Sequence, residues 1–225
     1  MEQTLHAAPS ATAYGAMRAA MVASQLRPGG VSDARLVAAL ATVPREAFLP
    51  FAVAELAYRD MVVTLGNGRM SNLPIATGRL LNEARLQPTD TVLLVGAAGG
   101  YAAAVLAAVV ARVVAVESDS ALLAIARPAL ASLSNVTLVE APLAAGQAAS
   151  APYDVIIIDG AVEEVPQVLV DQLAVGGRMT TGLVDNGVTR LAAGRRTEGG
   201  FALAAFADLD CAVLPGFAEP KGFVF

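Results

Sequence analysis

Histidine and cysteine are nearly missing from this chain: His6 and Cys211 each stand alone among 225 residues, and tryptophan is absent. One cysteine can neither close an internal disulfide nor supply a CxxC metal knuckle. One histidine, in a small-residue N-terminal stretch, excludes a His-based triad or a zinc site built on histidines. Charge is scarce too, at 16% of residues, and its balance is acidic, with 15 basic against 20 acidic side chains. No Lys/Arg block is present, so nothing supplies phosphate neutralisation or attraction to an anionic bilayer, and neither nucleic acid nor membrane is an expected partner. What the chain has in abundance is apolar: 56% of residues are hydrophobic, which excludes disorder as the overall state. The length suits one domain with a sizeable core.

A mean hydropathy of +0.59 raises the question of a membrane span. The uncharged run from Thr91 to Ala111 is long enough for one. It opens as Thr91-Val92-Leu93-Leu94-Val95, breaks at Gly96, Gly99 and Gly100, and continues as an alanine-rich helical pattern. It therefore reads as strand, glycine turn and helix. No basic segment leading into an apolar one opens the chain, so the expectation is a soluble cytoplasmic protein without a signal peptide.

Residues 1–12 read as a loose tail, 13–86 as a helical cap ending in a loop, and 89–225 as an α/β core, all in one domain. The cap shows helical spacing over Ala13–Leu26, a helix over Asp33–Thr42 capped by Ser32, a helical stretch Phe48–Tyr58 and a helix from Pro74 to about Leu86. Met61–Leu65 suggests a short strand before the loop Gly66-Asn67-Gly68. Beyond Pro88 the rhythm alternates: strands at Thr91–Val95, Arg112–Val116, Val136–Val139, Asp154–Ile158 and Arg178–Leu183 are separated by helices. That pattern predicts a mostly parallel sheet covered on both faces. Val188–Arg196 and Phe201–Phe206, flanking Thr197-Glu198-Gly199-Gly200, predict an antiparallel hairpin.

In such a sheet a ligand lies beyond the carboxyl ends of the strands, where strand order reverses. Gly96-Ala97-Ala98-Gly99-Gly100 follows the first core strand and opens a helix, which suits close approach of a ligand to free helix N–H groups. Glycine after a strand also serves a plain turn, so the loop alone decides nothing. Glu117 ends the next strand about 20 residues on, at the spacing from which a carboxylate accepts both ribose hydroxyls. The alternative is that Glu117 and Asp119 cap the following helix. Asp159 ends the Val155–Ile158 strand and is either a crevice residue or a turn residue before Gly160. No Walker lysine follows the glycines, which argues against an NTPase, while NAD stays open on these features.

Several segments together resemble the protein-L-isoaspartate O-methyltransferases. They are Met21-Val22-Ala23-Ser24-Gln25-Leu26, Val43-Pro44-Arg45-Glu46-Ala47-Phe48-Leu49-Pro50, Ala57-Tyr58-Arg59-Asp60, the Gly68-to-Pro74 loop, Gly100-Tyr101, Ala151-Pro152-Tyr153-Asp154, Glu164-Val165-Pro166 and Gly176-Gly177-Arg178. The resemblance covers nearly the whole chain. It implies a Rossmann-like fold, S-adenosyl-L-methionine (AdoMet) as cofactor, and repair of aged proteins by methylation of isoaspartyl carboxylates. Isoaspartyl-containing proteins or peptides are then the partners, with a monomer as the default. A carboxylate is already nucleophilic and a sulfonium methyl already activated, so positioning and desolvation suffice without a general base.

The resemblance also assigns roles. Gly96, Gly99 and Gly100 would form the methionine-side loop, with Ala98 in place of its middle glycine, and Glu117 would bind ribose. The serine that meets the acceptor carboxylate is replaced by Asn72, with Ser71 one residue earlier. Leu94 stands where the family has an acid two positions before the loop, and Pro142 where an aspartate meets the adenine amino group. Glu140 is two residues out of register with that aspartate. Each lost charge-assisted bond weakens binding by roughly ten- to a hundredfold. The expected outcomes are an enzyme of weak or altered activity or, as the alternative, a fold retained as a binding or scaffold protein.

Overall fold

The structure, a computed structural model, describes residues 9–218. His6 and most of the expected tail lie outside the described residues. Helix α1 (Ala11–Met21) begins where Ser10 Oγ accepts the Ala13 N–H at 3.2 Å, and it widens into a π turn at Val22–Leu26 before Pro28. Helix α2 (Ala34–Thr42) is capped by Asp33, not Ser32 as expected, because the Asp33 carboxylate reaches the N–H groups of Arg35 and Leu36. The Ser32 N–H instead donates to the side chain of Asn82. The expected helical stretch Phe48–Tyr58 is two 3-10 turns, Arg45–Phe48 and Phe51–Leu56. Pro50 disfavours the helical conformation at Leu49, so the two turns cannot merge. Strands β1 (Val63–Gly66) and β2 (Arg69–Ser71) form a separate antiparallel hairpin, and α3 (Pro74–Glu83) starts on its proline. The turn residues Asn67 and Gly68 both have positive φ, 48° and 73°, as a two-residue hairpin turn requires.

The core strands are β3 (Thr91–Val95), β4 (Arg112–Glu117), β5 (Val136–Glu140), β6 (Tyr153–Val162), β7 (Leu173–Asp185), β8 (Val188–Thr197) and β9 (Gly200–Asp208). They form one sheet in the order β5-β4-β3-β6-β7-β8-β9. Pairing is parallel from β5 through β7 and antiparallel from β7 to β9. Helices α4 (Tyr101–Ala107), α5 (Ser120–Leu130) and α6 (Gln167–Asp171) connect the parallel strands. Val92, Leu94, Val113, Ala115, Val155 and Ile157 pack with residues of α1 to α5, while Leu93, Val95, Val114, Val116, Ile156 and Ile158 pack with α6 and the C-terminal segment. Burial on both faces is why these strands read as unbroken apolar runs rather than alternating ones. Among the described residues, no helix is long and apolar enough to cross a membrane, and no cluster of His, Cys, Asp or Glu could hold a metal ion.

Strand order reverses between β3 and β6, and the register fixes what stands there. Val95 pairs with Val116 on one side and with Ile158 on the other. Gly96 just past β3, Glu117 at the last position of β4 and Asp159 within β6 therefore stand in one row. Strand β6 runs on to Val162, so Asp159 does not end its strand and the turn expected at Gly160 is absent. One feature absent from the sequence reading crosses the same place. After β9 the chain returns beside β6, where the Ala161 N–H donates to Ala212 O at 2.8 Å and the Leu214 N–H donates to Ala161 O at 2.9 Å. This return sets Leu214 against Gly96 and Gly160.

Candidate cofactor and acceptor crevice

Glu117 is fully buried, and its carboxylate is saturated by the protein itself. Arg69, reaching in from β2, donates Nε to Oε1 at 3.2 Å and Nη2 to Oε2 at 2.7 Å. The backbone N–H of Ala98 donates to Oε2 at 2.7 Å, and those of Ser118 and Asp119 donate to Oε1 at 2.8 and 3.1 Å. A carboxylate offers about four lone-pair sites, and five donors already converge on this one. The capping role that competed for Glu117 in the sequence falls to Asp119, which accepts the Ala121 and Leu122 N–H groups at the start of α5.

The glycine loop has the conformation expected of it. Gly96 and Gly100 have φ of 81° and 101°, and Ala98 takes φ of 48° without being glycine. What approaches the loop, however, is this chain. A Cβ on Gly99 would lie 1.9 Å from the carbonyl oxygen of Phe48, one on Gly96 2.9 Å from Leu214, and one on Gly100 2.9 Å from Leu130. The close approach that the glycines permit is thus used by the 3-10 turn, the C-terminal return and α5.

On the acceptor side, Asn72 is buried with both ends of its amide engaged. Its Nδ2 donates to Asp159 Oδ1 at 2.8 Å, and its Oδ1 accepts the Ala212 N–H at 2.7 Å. Thr77 Oγ1 donates to the same Asp159 oxygen at 2.8 Å. Burial raises the Asp159 pKa, an effect only partly opposed by these bonds and by the positive charge of Arg45. Ser71 Oγ accepts from Arg45 Nη2 at 2.7 Å, and the same nitrogen donates to Asn72 O at 2.6 Å. The Arg45 guanidinium sits 5.1 Å over the Tyr101 ring, its Nε has no partner, and burial lowers its pKa. Tyr101 is likewise buried with its hydroxyl unpartnered, and burial pushes its pKa up to about 12.

Sequence reasoning placed Gly96, Ala98, Gly99, Gly100, Glu117, Asp159, Ser71 and Asn72 around one crevice; in the structure Ser71, Asn72, Gly96, Ala98, Gly99 and Asp159 line it, Glu117 adjoins it through the Ala98 N–H, and Gly100 faces Leu130 of α5. It missed both arginines that fill it. Arg69 had a signal: Asn67-Gly68 is a hairpin turn signature, which makes the following residues a strand carrying a lone cation toward the Rossmann core. Leu94, which the resemblance set in the family's acid position, is fully buried in the core. Pro142 starts a 3-10 turn, and Glu140 is exposed and paired with Arg127.

The space left between Arg45, Phe48, Ser71, Asn72, Gly99 and Asp159 is about 20 Å³. That holds one water, whereas small-molecule sites occupy roughly 300 Å³ or more. A groove of about 480 Å³ along Val22, Arg27, Val31 and Val37 shares none of these residues. In this arrangement Glu117 is saturated by the protein's own donors and the glycine loop is covered by Phe48, Leu214 and Leu130.

The comparisons with known proteins agree on the lineage. Residues 17–203 match the family model of the protein-L-isoaspartate(D-aspartate) O-methyltransferases. A protein-L-isoaspartate O-methyltransferase of Koribacter versatilis is 38% identical over 175 residues, covering 77% of this chain and 79% of that one. Another, from Methylorubrum populi, is 41% identical over 165 residues, covering 73% and 78%. A solved protein-L-isoaspartate O-methyltransferase structure superposes with a TM-score of 0.76 at 25% identity, covering 88% of this chain and 66% of that one. A putative Plasmodium falciparum enzyme, solved with S-adenosyl-L-homocysteine, shares the fold at a TM-score of 0.72 and 18% identity, covering 88% and 97%.

Proposed function

Because this chain belongs to the protein-L-isoaspartate(D-aspartate) O-methyltransferase family, we propose that it is an AdoMet-dependent O-methyltransferase that esterifies isoaspartyl carboxylates in damaged proteins. The observation that carries this reading is the extent of the family match, which runs through the cap, the acceptor loop and both nucleotide-side strands. In this reading Gly96, Ala98, Gly99 and Gly100 serve the methionine side of AdoMet, Glu117 its ribose, and Asp159 the floor of the crevice. Asn72 or Ser71 positions the acceptor. The enzyme works as a cytoplasmic monomer on isoaspartyl proteins or peptides. Turnover is expected to be weak, since Leu94 and Pro142 offer no acid and Glu117 is engaged elsewhere.

Transfer of labelled methyl groups to an isoaspartyl peptide, against the same peptide with normal aspartate, tests the activity. Base-labile label on the isoaspartyl peptide alone supports the reading, and equal or no label on both removes it. One observation favours a second reading, a fold retained as a binding or scaffold protein: the crevice has room for about one water. Under that reading both peptides stay unlabelled and AdoMet gives no heat in calorimetry at millimolar concentration.

A further inference from the structure

Arg69 and a ribose diol make the same demand on Glu117. Each presents two donors, side by side, to the two oxygens of one carboxylate, and the planar guanidinium does so with a charge added. The Arg69–Glu117 pair has donor distances of 3.2 and 2.7 Å, with the two side chains 2% and 0% exposed. Three backbone N–H groups complete the carboxylate's shell, so no lone pair remains for a ligand hydroxyl.

The element that carries Arg69 is able to leave. The β1–β2 hairpin belongs to no larger sheet, and an isolated two-stranded hairpin is marginal in water. Its tip is held by Asn67 Nδ2, which donates to Asp119 Oδ2 at 3.0 Å in an exposed position. Withdrawing Arg69 breaks no bond of the seven-stranded sheet, but it leaves the buried Glu117 carboxylate to its three backbone N–H donors, so it requires an incoming ligand whose hydroxyls replace the two donors lost. The same hairpin ends at Ser71, which leads directly into Asn72, and both residues are held by Arg45.

We propose that Arg69 is an internal ligand of the ribose end of the crevice, so that AdoMet binds only after the β1–β2 hairpin gives up its ion pair with Glu117. The proposal rests on the methyltransferase reading above. It makes Arg69 the residue that sets cofactor affinity, in competition with the cofactor itself.

Calorimetric titration with S-adenosylhomocysteine tests it, comparing the wild type with Arg69→Gln and Arg69→Met, each checked for folding by its thermal midpoint. The expected result is binding about tenfold or more tighter in a folded variant, the size of one charge-assisted hydrogen-bond contest removed. Equal or weaker binding in the folded variants overturns the gate and leaves the methyltransferase reading standing. If both variants unfold, amide hydrogen exchange on the wild type decides. Lower protection of residues 63–71 at saturating S-adenosylhomocysteine supports the gate, and unchanged or higher protection overturns it. A wild type that gives no heat at millimolar ligand, with both variants silent or unfolded, removes the methyltransferase reading and the proposal together.

Discussion

Arg69 and Arg45 are each 2% exposed and both border the crevice, but they are buried on different terms. Arg69 is matched by a carboxylate through two hydrogen bonds. Arg45 is matched by a hydroxyl, a carbonyl and an aromatic face, and pairs with no carboxylate among the described residues. The Glu117 side of the crevice is therefore electrostatically closed, and the Asp159 side is open. Removing one member of a buried ion pair leaves a bare charge and is strongly destabilising, whereas a cation with only neutral partners leaves none behind when it goes.

The largest expected effect follows from the closed side. Glu117→Gln keeps the shape and some hydrogen bonding but leaves Arg69 buried without a counter-charge. Stability should fall by about 3–5 kcal/mol, which for a chain of this size is roughly 10 °C in Tm. Adding Arg69→Met to Glu117→Gln should restore most of the loss, and chemical denaturation of the four proteins in the cycle measures it. A single mutant with an unchanged midpoint would show that Arg69 reaches water, and the contrast between the two arginines would collapse. A Glu117 free to bind ribose, as the sequence suggested, would predict that unchanged midpoint.

The alternation of apolar strands with helices was legible because burial on both faces leaves period-free apolar runs such as Val155–Ile158, which glycine and proline punctuate clearly. The row of Gly96, Glu117 and Asp159 was legible because each follows the last residue of an apolar run, although β6 itself continues through Asp159 to Val162. What fills the crevice was not legible, because each filling contact is long-range. Leu214 reaches Gly96 only after the chain has completed β9, and Phe48 O meets Gly99 from a turn about 50 residues earlier. Spacing within a motif carries no trace of such partners. Register shows the same limit on a smaller scale: the choice between Ser71 and Asn72 turned on side-chain direction, and the structure engages both.

A smaller effect is expected on the open side. Arg45→Met removes the donor of Ser71 Oγ and Asn72 O but also removes a desolvated charge, and these changes oppose each other. The net loss should be about 1 kcal/mol or less in urea denaturation. A loss of the Glu117→Gln size would mean that Arg45 does have a counter-charge, namely Asp159 acting across the water-sized gap.

The smallest change tests that same gap through pH. Burial raises the Asp159 pKa, with hydrogen bonds from Asn72 and Thr77 and the charge of Arg45 opposing it. A carboxyl whose folded pKa lies above its unfolded value binds more protons in the native state, so it destabilises the fold progressively as pH rises from the unfolded value, 3.8, through the folded one. Asp159→Asn retains an oxygen to accept from Asn72 and Thr77 and cannot ionise. Below the unfolded pKa the two proteins should therefore be about equally stable. As pH rises toward neutrality the variant should become the more stable one, the difference levelling off once wild-type Asp159 is ionised. Denaturation midpoints taken from pH 3 to pH 8 read this directly. A variant that instead loses ground as pH rises would show that ionised Asp159 stabilises the fold, making it the missing partner of Arg45 and closing the acceptor side after all.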